Sequence, residues 1–209
     1  MRREPVELTK AWQEDIKRAV EVMRKGGVIL YPTDTVWGIG CDATNEEAIS
    51  RIYSIKQRNE KKSMIILLDA PERLPMYVEN IPLVTWDLLP QVSRPTTFIY
   101  PTAKNLPSKL VHDDGTIAIR IADNEFCRRL IRAIGRPLVS TSANFAGKPT
   151  PATFEQISPE IVDLMDYVVP SQYSVSVDYK PSRLIKFLDD YNFTVINITI
   201  YLIFPFIRT

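Results

Sequence analysis

Residues 11–31 read AWQEDIKRAVEVMRKGGVILY and place a helix directly in front of a strand. Apolar side chains recur at helical spacing from Trp12 to Met23, which predicts an amphipathic helix over residues 11–24. Two glycines then end the helix, because glycine tolerates the left-handed geometry of a helix cap. The apolar run from Val28 to Tyr31 predicts a buried strand. This stretch therefore indicates a chain that mixes helices and strands.

The rest of the chain repeats such segments without a strict order. Helices are predicted over residues 45–55, 71–89 (two short helices broken by prolines), 124–134, 154–157 and 161–165. Strands are predicted over residues 63–68, 96–100, 116–121, 138–141, 168–169, 184–188 and 193–199. This order favours an α/β fold with a twisted sheet that mixes parallel and antiparallel strands between flanking helices. No repeat or low-complexity linker divides the chain, so we predict one domain over residues 1–209.

The composition is that of a globular protein. The 209 residues are 45% hydrophobic and 24% charged, and the formal net charge is +1. The overall charge therefore does not indicate a nucleic-acid partner, and any basic site must be local. The two cysteines, Cys41 and Cys127, form no CxxC pattern, which argues against a zinc site. They predict reduced thiols in a cytoplasmic protein.

Neither end of the chain predicts a membrane segment. The N-terminus is polar and lacks the apolar core of a secretion signal. The apolar run from Val195 to Ile207 has about 13 residues and contains Pro205, whereas a spanning helix needs roughly 20 apolar residues. We therefore predict no membrane association, and we interpret residues 196–209 as an apolar tail that follows a terminal strand.

A basic pair, Lys56 and Arg58, follows the predicted helix of residues 45–55. Cations at a helix C-terminus interact favourably with the helix dipole, so the pair could be a solvated last turn. Arginine and lysine also suit phosphate oxygens, and phosphoryl chemistry depends on charge stabilisation. The second interpretation is therefore a clamp for a triphosphate.

Hydroxyls and an amide are concentrated in residues 140–144, Ser-Thr-Ser-Ala-Asn, at the end of a predicted strand. In open α/β sheets ligands bind beyond the carboxyl ends of strands, so these side chains could face a ligand. The same residue types also cap turns with their own backbone. No histidine lies nearby in the sequence, which disfavours a serine nucleophile, and we predict that the single histidine, His112, lies at the surface.

Arg120 interrupts an apolar strand, Ile117-Ala118-Ile119-Arg120-Ile121. A charge within such a strand must be paired or must face a ligand or water. One interpretation is a half-exposed edge strand with Arg120 in water. The other is a receptor for a carboxylate, because arginine binds carboxylates through two parallel hydrogen bonds.

Pro32-Thr33-Asp34-Thr35 follows the first strand and forms either a turn with capping hydroxyls or a loop that contacts a substrate. Further on, Gly38-x-Gly40-x-x-Ala43 imitates a dinucleotide-binding fingerprint. We reject that interpretation, because the fingerprint must follow its strand directly and open a helix. Gly147-Lys148 likewise lacks the upstream glycine of a phosphate-binding loop.

Four motifs in the same order resemble the YrdC family of threonylcarbamoyl-adenylate synthases over residues 12–188. They are Pro32-Thr33-Asp34-Thr35-Val36-Trp37-Gly38-Ile39-Gly40, Lys56-Gln57-Arg58, Ile119-Arg120-Ile121 and Ser140-Thr141-Ser142-Ala143-Asn144. The resemblance implies a twisted mixed sheet around a positively charged cavity. It also implies that L-threonine, bicarbonate and ATP give threonylcarbamoyl-AMP, pyrophosphate and water. A separate transferase would then move the threonylcarbamoyl group to an adenosine in certain tRNAs.

The resemblance also implies roles for individual residues. Thr35, Arg120 and Ser140 match positions that hold threonine. The positions that match ATP contacts are Lys56, Arg58, Lys62, Thr116, Ser142, Asn144 and Thr150. Lys56 and Arg58 would act as catalytic cations that offset charge on the triphosphate as pyrophosphate leaves. A magnesium ion is expected on the phosphates, held chiefly by the nucleotide and water rather than by a protein metal site.

Two other functions fit parts of the pattern. A YciO-like paralogue of uncertain activity would share the fold, although the intact Ser142-x-Asn144 favours the synthase. A binding module for tRNA or double-stranded RNA would use the same basic cavity, but the nearly neutral overall charge disfavours it. Arg94 also stands where the family has a glycine between two prolines.

Overall fold

The computed structural model describes residues 10–57, 64–173 and 181–196. Within these ranges the α-helices are α1 (Lys10–Arg24), α2 (Glu46–Ile55), α3 (Thr85–Leu88), α4 (Glu125–Ile134) and α5 (Pro159–Asp163). The strands are β1 (Ile29–Tyr31), β2 (Gly38–Gly40), β3 (Ile65–Leu68), β4 (Thr96–Tyr100), β5 (Ile117–Ile121), β6 (Leu138–Ser142), β7 (Tyr167–Val168), β8 (Arg183–Phe187) and β9 (Phe193–Ile196). Short 3-10 turns cover Pro71–Met76, Leu89–Gln91, Ser108–Leu110, Phe154–Gln156 and Ser171–Tyr173.

The described strands form one mixed sheet in the order β7-β1-β2-β6-β3-β5-β4-β8-β9. The pairs β1–β7, β3–β5 and β4–β8 are parallel. The pairs β1–β2, β2–β6, β3–β6, β4–β5 and β8–β9 are antiparallel. The predicted α/β class with a mixed sheet is therefore confirmed.

The two faces of the sheet pack against different helices. Leu67 and Leu138 belong to one buried cluster with side chains of α1 and α4. Their strand neighbours Ile66 and Val139 belong to a second cluster with side chains of α2. This division follows from strand geometry, because successive side chains point to opposite faces. Arg120 pairs with Leu67 and therefore lies on the face of α1 and α4.

The helix boundaries agree with the sequence signals. The side chain of Asn45 caps α2 by accepting a hydrogen bond from the amide of Ala48 at 3.0 Å. Asn124 caps α4 in the same way through the amide of Cys127. Gly135 ends α4 with φ of 77°, the left-handed geometry that favours glycine.

Three further predictions concern the two cysteines, a membrane-spanning segment and the terminal strand. Both cysteines are free and buried, and burial raises the pKa of each thiol. No helix among the described residues has the length and apolar character needed to cross a membrane. The predicted strand of residues 193–199 is present as far as Ile196, and residues 197–209 lie outside the described residues.

Strand β2 was not predicted, because its three residues include two glycines, which are poor strand formers. Its glycines permit close packing instead. A Cβ atom on Gly40 would lie 2.4 Å from the carbonyl oxygen of Val139 and 2.7 Å from the ring of Tyr31. The rejection of the dinucleotide fingerprint is confirmed, since Gly38 and Gly40 lie within a strand rather than in a turn that opens a helix.

We predict a larger destabilisation for alanine at Gly40 than at Gly38, the two glycines of β2. Gly40→Ala should lower the free energy of unfolding by about 1–3 kcal/mol, because its Cβ meets backbone that cannot move away. In Gly38→Ala the nearest atoms are side-chain atoms of Thr33 and Ser140, at 3.2 and 3.3 Å, which can yield slightly. Urea unfolding of both variants measures the difference, and equal destabilisation would contradict this explanation.

Candidate functional site

Four of the predicted site residues line one cavity of about 290 Å³ beside the sheet. They are Thr35, Arg120, Ser140 and Ser142. Thr35 lies in the loop between β1 and β2, Arg120 in β5, and the two serines in β6. Residues from distant parts of the sequence are thus brought together in one place.

The register of the sheet explains this convergence. Opposed residues in neighbouring strands point to the same face. Arg120 lies opposite Thr97 of β4, and Ser142 lies opposite Gly38 of β2. Ser140 lies opposite Ile65, which also lines the cavity. Gly38 has no side chain to fill the space beside the serines, so the cavity stays open there.

Arg120 is buried, with only 3% of its surface exposed. One of its terminal nitrogens lies 3.0 Å from a carboxylate oxygen of Asp34, and the other donates a hydrogen bond to the hydroxyl of Thr35 at 3.3 Å. Its Nε atom has no hydrogen-bond partner among the described residues. The interpretation of a half-exposed edge strand is therefore wrong, since β5 is central and Arg120 is enclosed.

Asp34 pairs with Arg120 by charge rather than by an aligned hydrogen bond. The two charged groups are 3.0 Å apart, but neither carboxylate oxygen has a hydrogen-bond partner of acceptable geometry within the described chain. Asp34 is 7% exposed, so water screens the pair little. The carboxylate compensates the buried guanidinium charge without occupying all of its N–H donors.

Ser140 is connected to the buried ring of Tyr31. Burial raises the pKa of the Tyr31 hydroxyl, and hydrogen bonding to Ser140 opposes that rise in part. The Tyr31 hydroxyl itself donates to the carbonyl of Val139 at 3.3 Å. Tyr31 therefore remains protonated and contributes to the position of Ser140.

Lys56 is buried at the end of α2, with 2% of its surface exposed. Its ammonium group donates hydrogen bonds to the carbonyl oxygens of Ser142 and Asn144, at 2.5 and 2.7 Å. Its own carbonyl accepts from the amide of Ala146 at 2.9 Å. The interpretation of Lys56 as a solvated last turn is wrong. Through these hydrogen bonds Lys56 stabilises the segment that follows β6.

Asn144 forms side-chain hydrogen bonds to the backbone of a turn, which was one of the two interpretations of residues 140–144. The Ser142 hydroxyl donates to the Asn144 side-chain oxygen at 2.5 Å. The Asn144 amide nitrogen donates to the carbonyls of Phe145 and Lys148, at 3.1 and 2.6 Å. These bonds fix the loop after β6, and both side chains remain partly exposed.

Thr116 directly precedes β5 and lies four residues before Arg120, which corresponds to about 13 Å along an extended chain. Its hydroxyl donates to Asp114 at 2.6 Å and lies 2.8 Å from a ring nitrogen of His112. Hydrogen bonds from Thr116 and Lys186 hold the pKa of Asp114 well below its usual range. His112 is partly buried against Thr116, so the prediction of a surface histidine is only partly met.

Of the remaining predicted contacts, those that lie within the described residues do not line the cavity. Thr150 is exposed and does not line it. Arg58 and Lys62 lie outside the described residues. Thr33, which belongs to the loop predicted to form a turn or to contact a substrate, also lines the cavity, and so does Ser182, which was not predicted. Ser182 shares a hydrogen bond of 2.7 Å with Thr97, and no local pattern indicates this contact because the two residues are far apart in the sequence.

The lining of a larger cavity, of about 530 Å³, includes Asp34 and residues of the segment between α3 and β4. Trp86, Val92 and Arg94 contribute to its wall. It contains none of the predicted ligand contacts. We therefore take the smaller cavity, where the hydroxyls and the guanidinium converge, as the candidate site.

Comparison with known proteins adds sequence relatives. The Sua5, YciO and YrdC family model, described as Telomere recombination, matches residues 21–196. The chain is similar to threonylcarbamoyl-AMP synthase of Pseudoalteromonas translucida, at 36% identity over 75% of this chain and 86% of the relative. It is also similar to threonylcarbamoyl-AMP synthase of Vibrio cholerae, at 35% identity over 77% of this chain and 87% of the relative.

Solved structures share the architecture. The structure of P. abyssi Sua5 complexed with L-threonine matches with a TM-score of 0.80 at 25% identity. That match covers 90% of this chain and 54% of the P. abyssi chain, so this chain spans about half the length of that protein. The structure of E. coli YciO matches with a TM-score of 0.75 at 28% identity, covering 88% of both chains.

Proposed function

Because this chain belongs to the family of Sua5, YciO and YrdC proteins, we propose that it is a threonylcarbamoyl-AMP synthase. It makes threonylcarbamoyl-AMP, pyrophosphate and water from L-threonine, bicarbonate and ATP, for the modification of an adenosine in tRNA. The names of the curated relatives and their coverage of the chain support this activity. The observation that carries it is the buried Arg120 facing a cavity that also receives the hydroxyls of Thr35 and Ser140.

Threonine binds through its carboxylate to Arg120. A guanidinium in a largely water-free site forms strong charge-assisted hydrogen bonds to a carboxylate. The unpartnered Nε of Arg120 offers one such donor. Thr35 and Ser140 line the same cavity and orient the rest of the amino acid. This arrangement holds the amine in one position relative to ATP.

ATP lies along the segment after β6, near Ser142 and Asn144, with Thr116 and Thr150 as further contacts. Lys56 holds this segment through two carbonyl groups and adds a buried positive charge beneath it. Arg58 and Lys62 are assigned to the phosphates from the sequence motif alone. We expect magnesium to arrive with ATP, held by phosphate oxygens and water. No group of three or more His, Cys, Asp or Glu side chains in the described chain is arranged to hold a metal by itself.

The reaction depends more on holding the substrates close together than on a general base supplied by the protein. The threonine amine and bicarbonate form a carbamate with loss of water, and the carbamate oxygen attacks the α-phosphorus of ATP. The bond from that phosphorus to the bridging oxygen breaks, and pyrophosphate leaves. The fixed cations stabilise charge on the departing phosphates. Fixing the carbamate beside ATP replaces a costly encounter of separate molecules.

The partners and the location follow from this activity. A separate transferase consumes the adenylate and modifies tRNA, and we place the chain in the cytoplasm as a single domain over residues 1–209. The continuous sheet from residue 29 to residue 196 supports the single domain. Binding of tRNA or double-stranded RNA by the same cavity stays a prediction.

We predict pyrophosphate release that requires all three substrates. The purified chain is incubated with threonine, bicarbonate and ATP, and the rate is compared with three mixtures that each omit one component. Each omission should lower the rate at least tenfold, because the carbamate must form before it attacks. Release that does not depend on threonine would contradict the proposal. It would favour a YciO-like activity, for which the similarity to YciO is the supporting observation.

A further inference from the structure

The direction of the hydrogen bonds around Thr33 can be read from its partners. The Thr33 hydroxyl donates to the carbonyl oxygen of Val36 at 2.7 Å, and it lies 3.0 Å from the Thr35 hydroxyl. A carbonyl oxygen can only accept, and a hydroxyl has one proton. The proton of Thr33 is therefore used on Val36. The bond between the two threonines must then be donated by Thr35.

Arg120 strengthens this assignment. Its terminal nitrogen donates to the same Thr35 oxygen at 3.3 Å, and a guanidinium cannot accept a hydrogen bond. The amide of Thr35 also donates to the Thr33 hydroxyl, at 3.1 Å. The Thr35 hydroxyl therefore gives its proton to Thr33 and accepts from Arg120. Only acceptor capacity is left toward the cavity.

Burial keeps this direction fixed. Thr33 and Thr35 are each 4% exposed, so water cannot easily replace either partner. A ligand group that forms a hydrogen bond with the Thr35 hydroxyl must then be the donor. A group that can only accept would face an oxygen lone pair without a proton between them, which is unfavourable in a buried site.

We infer that Thr33 is a positioning residue that makes Thr35 an acceptor and so favours amino acids with a side-chain hydroxyl. This inference rests on the proposed function, in which Arg120 holds the carboxylate. The reacting amine must be directed toward bicarbonate and ATP. The β-hydroxyl of threonine does not react and is the donor that meets Thr35. The Thr33 hydroxyl is already engaged with Val36 and Thr35, so it acts through Thr35.

The test compares two amino acids that differ in the hydroxyl. L-threonine and L-2-aminobutyrate are titrated into wild type, Thr33→Val and Thr33→Ser by calorimetry in the presence of ATP. The steady-state rate of pyrophosphate release is measured alongside. Wild type should favour threonine by about tenfold or more, as expected for one buried hydrogen bond. Valine keeps the shape of threonine but removes the hydroxyl, so the preference should fall to about threefold or less.

Thr33→Ser retains the hydroxyl and should keep the wild-type preference. In Thr33→Val the dissociation constant for threonine should rise, while that for 2-aminobutyrate and the KM for ATP should change little. An equal loss for both amino acids in Thr33→Val would overturn the inference, because it would indicate a purely structural role. An unchanged preference in that variant, or no preference in wild type, would also overturn it.

Binding is the readout that separates this inference from the proposed function. A preference that depends on Thr33 but is accompanied by no pyrophosphate release would support the inference and contradict the synthase activity. Thermal unfolding checks that each variant is folded. If Thr33→Val is unfolded, Thr33→Ala replaces it with the same expected loss of preference, and a wild-type preference in that variant overturns the inference.

Discussion

Replacing Arg120 with methionine is expected to raise the KM for threonine at least 100-fold. Charge-assisted hydrogen bonds contribute about 1.5–3 kcal/mol each, and a guanidinium can give two to one carboxylate, with the unpartnered Nε of Arg120 as one of the donors. Methionine keeps much of the side-chain volume but removes every donor. ATP binding should survive, because Arg120 lies on the threonine side of the proposed arrangement. The measurements are threonine dependence of pyrophosphate release and ATP binding by calorimetry.

The control for this prediction is the buried partner of Arg120. Removing the guanidinium alone leaves Asp34 as an isolated buried charge, which costs about 3–5 kcal/mol of folding stability. The double variant Arg120→Met with Asp34→Asn removes both charges and should recover much of that stability. It should still fail to use threonine. Recovery of threonine use in the double variant would contradict the assignment of Arg120 as the carboxylate receptor.

Replacing Lys56 with methionine is expected to lower kcat/KM for ATP by about 100-fold or more. Loss of one preorganised charge donor at a reacting site commonly costs this much. The change also leaves the carbonyls of Ser142 and Asn144 without their shared donor, at about 1–3 kcal/mol for each group that stays buried. Both effects have the same origin, because Lys56 holds the loop and supplies the charge.

Lys109→Met is the matched control for Lys56→Met. The ammonium of Lys109 donates to the hydroxyl of Ser50 on α2, at 2.7 Å, whereas that of Lys56 donates to carbonyl groups of the segment after β6. Removal of the Lys109 ammonium should affect stability but leave kcat/KM for ATP within about threefold of wild type. Equal losses of activity in the two variants would show that Lys56 acts only through the fold. Thermal unfolding and ATP titration of both variants provide the comparison.

Much of the candidate site could be predicted from the order of the motifs in the sequence. Thr35, Arg120, Ser140 and Ser142 were selected from the sequence, and all four line the same cavity. Strand alternation alone could not place them together, because the register between β2, β5 and β6 depends on packing of the whole sheet. Arg120 had two open interpretations until its neighbours were known.

The contacts that orient these residues were harder to predict from the sequence. Asp34 was part of a predicted loop, but its pairing with Arg120 joins residues far apart in the chain. Lys56 has the sequence pattern of an exposed helix end. In the structure the loop after β6 covers it, and two carbonyl groups of that loop accept hydrogen bonds from its ammonium group. No local signal distinguishes a lysine that meets water from one that meets carbonyl groups.

The sequence by itself determined α1, α2 and α4 and most of the strands, because helical periodicity, the Asn45 cap and the glycine at position 135 act over a few residues. Only the tertiary structure decided that Gly38 and Gly40 form a strand, that Arg120 is enclosed, and which way the Thr35 hydroxyl points. These features arise where the backbone of one segment closes on the side chains of another. Burial then removes the water that would otherwise leave several arrangements equally favourable.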